Sequence, residues 1–76
     1  MPESDVSTGR YERKDVESGR HEFWIGEVKG RTVTIHFGKV GSSGHRGSRE
    51  FKSQEAGRDF LESRLAQKIT EGYQKV

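Results

Sequence analysis

The chain has 76 residues, with 14 Lys and Arg against 12 Asp and Glu and no cysteine, a length that allows one domain whose folding removes only about 60% of the unfolded chain's surface. Hydrophobic residues make up 28% and charged residues 34%, so a core forms only where the few apolar positions are well patterned. No disulfide framework or thiolate zinc site is available, and without a long apolar run or a basic-then-apolar leader the expectation is a cytoplasmic chain with no membrane contact.

Residues 1–9 carry one Pro, one Gly and mostly polar side chains, which predicts a disordered N-terminal tail outside the fold. Arg10 to Asp15 predicts a short edge strand with Tyr11 pointing inward, ending in a Ser18-Gly19 turn. From His21 the aromatic pair Phe23-Trp24 leads through Ile25 and Val28 to a turn at Lys29-Gly30. Thr32 to Phe37 then alternates, with Val33, Ile35 and Phe37 on one face and Thr32, Thr34 and His36 on the other. That pattern is a β-hairpin with one wet side.

A glycine- and serine-rich loop follows, and Ser48 to Lys52 with Phe51 reads as the return strand. Ser53 caps a helix in which Ala56, Phe60, Leu61, Leu65, Ile69 and Tyr73 recur at three-to-four spacing, with Gly72 as a C-terminal cap. The apolar stripe requires a partner surface, which the Val33/Ile35/Phe37 face supplies. The predicted fold is α+β: a small antiparallel sheet of about four strands with one C-terminal helix packed on one face.

Charge is concentrated in the middle of the chain. Residues 21–52 hold six bases (Lys29, Arg31, Lys39, Arg46, Arg49, Lys52) against three acids (Glu22, Glu27, Glu50) and all three histidines, whereas both flanking segments are near balance. Within that region Gly38, Lys39, Gly41, Ser42, Ser43, Gly44 and Gly47 form a loop whose amides, hydroxyls and cations suit phosphate oxygens. Lys39 is the first candidate for a phosphate contact, with Arg46 and Arg49 added on charge. The loop lacks the order of a Walker motif or a dinucleotide fingerprint, so nucleotide hydrolysis is not predicted.

Other residues have simpler explanations. Periodicity makes Phe37 a core phenylalanine at the sheet rim first and a stacking ring second, and the large apolar area of Trp24 makes it a core anchor. His21, His36 and His45 are fifteen and nine residues apart on different elements, so no metal site is expected. No cofactor is expected either, and the serines lack the base and orienter that a nucleophile needs.

Phe23-Trp24, Thr32 to Phe37, the run Gly38-Lys39-Val40-Gly41-Ser42-Ser43-Gly44, Phe51, the helix and Lys68 to Gly72-Tyr73 together resemble the WGR domain, over about Arg10 to Tyr73. The resemblance implies a single domain over residues 10–76, the same sheet-and-helix fold, and binding to DNA where the family's Trp and Arg contact the sugar-phosphate backbone near a terminal phosphate. Here Phe37-Gly38-Lys39 stands in place of Trp-Gly-Arg, giving a smaller ring and no bidentate fork. By match to that motif the resemblance carries Phe37, Gly38, Lys39, Gly41 and Gly44, beside Ser42, Arg46 and Arg49 from the loop and its charge. The expected function is a non-catalytic, monomeric module that binds DNA, at strand ends or nicks, or RNA. The alternative is a protein-interaction module in a bacterial regulatory system.

Overall fold

In the computed structural model, which describes residues 6–76, the order of elements is β1 (Val6–Asp15), β2 (Arg20–Lys29), β3 (Thr32–Lys39), β4 (His45–Glu50), α1 (Gln54–Thr70) and β5 (Gln74–Lys75). The strands form one antiparallel sheet in the order β4-β3-β2-β1-β5, with α1 against one face. The α+β class is therefore as expected, with five strands rather than about four.

Three boundaries differ from expectation. The supposed tail contributes Val6–Gly9 to β1, while the rest of that stretch lies outside the described residues. The segment is recruited because Val6 pairs with Val28 and packs against the core. At a bulge between Ser7 and Arg10, the Gly26 amide donates to Thr8 Oγ1 at 3.0 Å. Nor is β1 an edge, because β5 pairs outside it at Tyr11 and Glu12. The return strand runs over His45–Glu50 rather than Ser48 to Lys52, so Arg46 and Gly47 belong to a ladder. Phe51 has left it, its amide donating instead to the Arg31 carbonyl at 2.8 Å.

Side chains directly opposite on neighbouring strands share a face. The ladder pairs Tyr11 with Trp24, Trp24 with Phe37, Val28 with Val33, and Phe37 with His45, and this is the side that α1 covers. The core there is Trp24, Val28, Val33, Leu61 and Tyr73. Leu61 sits over Gly26 and Gly57 over Val33, so the helix spans β2 and β3 and does not follow β3 to its end. Two residues of the expected apolar contact are consequently outside it: Phe37 is 45% and Ile69 52% exposed.

The helix ends as its sequence predicts. Ser53 Oγ accepts from the Ala56 amide at 3.1 Å. At the other end the Tyr73 amide donates to the Lys68 carbonyl at 3.0 Å and the Gly72 amide to the Ile69 carbonyl at 3.1 Å, the paired pattern of a Schellman cap with Gly72 at φ +109°. This reversal delivers Tyr73 into the core and starts β5.

The helix-free face is not uniformly wet. Phe23 lies on it and is only 2% exposed, covered by the Arg10 guanidinium at 4.5 Å from the ring centroid and by the His36 ring edge-on at 5.0 Å. Arg10 also contacts Glu12 at 2.6 Å, and His21 Nε2 lies 2.8 Å from the other Glu12 oxygen. The Arg10 hydrogen bond holds the Glu12 carboxyl below its ordinary value, with His21 acting in the same direction against partial desolvation. A carboxyl depressed in the fold contributes stability above its unfolded pKa and loses that contribution as pH falls through the folded value. The melting temperature is therefore expected to hold steady above the ordinary carboxyl value of 4.5 and to decline below it. Glu12→Gln should flatten this descent, and parallel profiles for the two proteins would exclude the ion pair as its source.

Candidate functional site

At the end of β3 the chain turns back through residues 40–44 and enters β4, and the geometry of this return creates a cleft. Glycine is required at two facing positions. A Cβ on Gly38 would stand 2.6 Å from the Gly44 Cα, and one on Gly44 would collide with the Phe37 carbonyl oxygen and reach 2.8 Å from Phe23 Cζ. Gly44 also has φ +69°, which L side chains rarely adopt. The two backbones thus lie in contact, with Phe23 beneath them.

Two side-chain bonds fix the loop from inside. The Ser42 hydroxyl donates to the Lys39 carbonyl at 2.7 Å, and the Ser42 amide donates to the same oxygen at 3.0 Å. His36 Nε2–H donates to the Ser43 carbonyl at 2.6 Å while its ring packs on Phe23. Buried Phe23 therefore supports His36, and His36 holds the loop.

The resulting cleft has a volume of about 470 Å³. Phe37 and His45 form one side, their rings tilted together at 5.7 Å. Lys39, Gly38 and Glu22 form the floor, and Ser42, Ser43 and Gly44 close the loop side. Among the described residues no hydrogen bond or ion pair holds the Lys39 ammonium, and the residue is exposed. Such a site offers one exposed cation, an exposed ring and a serine hydroxyl in a concave setting, which suits an anion attached to a planar or sugar-like group. Glu22 works against this, since it pairs with Lys39 across the ladder and shares its face.

Of the eight residues anticipated from sequence, five line this cleft: Phe37, Gly38, Lys39, Ser42 and Gly44. Gly41 lies at the turn tip, in open space. Arg46 pairs with His36 and so points to the helix-free side. Arg49 is on the helix side, but its guanidinium lies over Phe51 at 4.8 Å and Phe60 at 5.7 Å. Strand alternation separates these two cations because β4 starts at His45, three residues earlier than expected. Phe37 itself departs from the core role that periodicity favours, because α1 does not extend over the end of β3. The Ser42 proton is already given to Lys39, whereas the exposed Ser43 hydroxyl has no bond among the described residues. Ser43, which the sequence places in the loop, also lines the cleft, while Glu22 and His45 are cleft residues that the sequence did not point to. Placing β4 from His45, opposite Phe37, is the signal that finds the second.

Comparison with known proteins agrees with this architecture. The WGR domain family matches residues 8–76. A solved structure of a protein from Bacteroides fragilis superimposes with a TM-score of 0.85 at 22% identity, covering 93% of this chain and 19% of that one, a likeness of fold. The chain thus spans about a fifth of the length of that protein. No curated protein matches it. Among the described residues no helix is long and apolar enough to cross a membrane.

Proposed function

The chain belongs to the WGR domain family, whose members are small nucleic-acid-binding domains, and we propose that it is a non-catalytic module holding the sugar-phosphate backbone of DNA in the cleft between the end of β3 and the 40–44 loop. Lys39 neutralises a phosphate, the Phe37 ring lies against the adjoining sugar, and the Ser43 hydroxyl donates to a phosphate oxygen. The observation that carries this reading is the convergence of an exposed Phe37, a Lys39 with no ion pair among the described residues and a glycine-supported loop on one concave surface. A terminal or nicked 5′-phosphate suits the site better than an internal one, since a single cation in a short cleft matches an accessible phosphate.

The test is titration with 5′-phosphorylated nicked duplex while loop resonances are followed by NMR. Shifts at residues 37–45 are expected, and free and titrated spectra that overlay would end the proposal. Neutralising one phosphate releases about one counterion, so Lys39→Ala should weaken binding across sequences and reduce the slope of log affinity against log salt by about one. Glu22→Gln should strengthen binding by removing like charge beside the phosphate. An unchanged salt slope for Lys39→Ala would remove that residue from the site.

A further inference from the structure

The Phe37 ring has a second side. Across it from the phosphate cleft lies a separate hollow of about 290 Å³ between α1 and β3, floored by Trp24 and Ile35, walled by Phe37 and Phe60, and rimmed by Arg64 and Lys68. Among the described residues no carboxylate lines it. Arg64 lies 5.3 Å from the Phe60 centroid, and its hydrogen-bond partner is neutral, Gln67 at 3.4 Å, so among the described residues no carboxylate pairs with it. Lys68 is shared with Glu71 at 3.5 Å. The hollow is close to the lower end of ligand-site volumes, roughly 300 Å³, which suits one ring system rather than an extended ligand.

We propose that this hollow takes the base of an unpaired nucleotide at a DNA end, the phosphate of which occupies the Lys39 cleft; the inference rests on the phosphate reading above. Continuity is the first reason. Phe37 borders both spaces, and Phe37 and Lys39 are two residues apart on one face of a strand, a Cα separation of about 6.6 Å. That is the scale of one nucleotide from phosphate to base. The second reason is chemical. Ring faces and guanidinium and ammonium groups accept any base through stacking and electrostatics. A peptide added as a strand, in contrast, needs an open sheet edge, and the lining comes from α1 and the inner strands β2 and β3. A paired base is unavailable, because entering the hollow requires leaving the stack at a cost of a few kcal/mol, so an overhanging nucleotide is preferred over a flush end.

The test uses the whole chain and three 5′-phosphorylated duplexes: blunt, with a one-nucleotide adenine 5′ overhang, and with the same overhang abasic. Trp24 is the single tryptophan, so its emission reports the floor of the hollow directly. The adenine overhang is expected to bind at least about fivefold more tightly than the abasic one, the lower end of base-aromatic stacking, and only the adenine overhang should quench Trp24. Equal affinity for the two overhangs with unaltered emission overturns the base assignment and leaves phosphate binding standing. A chain that binds none of the three fails at the phosphate cleft itself and takes this assignment with it. Quenching by an acidic aromatic peptide, with none by adenine, reassigns the hollow to a protein partner.

Discussion

Trp24→Ala is expected to lower the melting temperature by at least about 12 °C, the shift that a loss of roughly 3 kcal/mol produces in a domain of this size. Truncation of a buried aromatic costs about 3–5 kcal/mol through lost transfer energy and the cavity left behind. Trp24 is 3% exposed and central: it pairs with Tyr11 on one side and Phe37 on the other, and its ring edge would lie 3.1 Å from a Cβ on Gly26. A 76-residue chain typically has about 4–11 kcal/mol of stability in total, so this one change removes a large share. Trp24→Phe retains a ring and should recover part of the loss. Thermal unfolding followed by far-UV circular dichroism checks the pair, and a decrease below about 4 °C for Trp24→Ala, under 1 kcal/mol, would show that the core does not depend on this ring.

Gly44→Ala is expected to cost as much as a core deletion while leaving the core composition intact. The left-handed backbone alone penalises a Cβ by about 1–2 kcal/mol. Gly41→Ala at φ +95° incurs that kind of strain in open space, whereas at Gly44 the new methyl also meets the Phe37 carbonyl and the Phe23 ring. To relieve the collision the loop must lift, which uncovers Phe23 and stretches the bond from His36 to the Ser43 carbonyl. Chemical denaturation should therefore rank Gly44→Ala below Gly41→Ala by at least about 1 kcal/mol, and affinity for phosphorylated duplex should fall more for Gly44→Ala than for Gly41→Ala. Equal stability of the two variants would mean that contact between the loop and β3 does not support the cleft.

The elements built on local rules were legible in the sequence. Ser53, the three-to-four spacing around Leu61, and Gly72 specify a helix and both its ends with interactions inside a few residues. The alternation of Val33, Ile35 and Phe37 specifies a strand, and the excess of cations in residues 21–52 marks the electropositive segment, on which the proposed anion site is built. Errors arose where the outcome depended on which partner was nearby. Val6 joins the sheet because Val28 is there to receive it. The β4 segment His-Arg-Gly-Ser-Arg-Glu is exposed throughout and has no apolar pattern, so only its ladder with β3 defines where it begins.

The sequence by itself determined the fold class, the family resemblance and the chemical character of the loop, because capping, alternation and glycine spacing act over short distances along the chain. Only the tertiary structure decided which cations act together. A strand's side chains change face at every residue, so the start of β4 at His45 sends Arg46 to one side of the sheet and Arg49 to the other. The reach of the helix decided the rest: α1 covers Trp24 and stops short of Phe37, leaving that ring exposed where it borders both the cleft at the end of β3 and the smaller hollow beside α1.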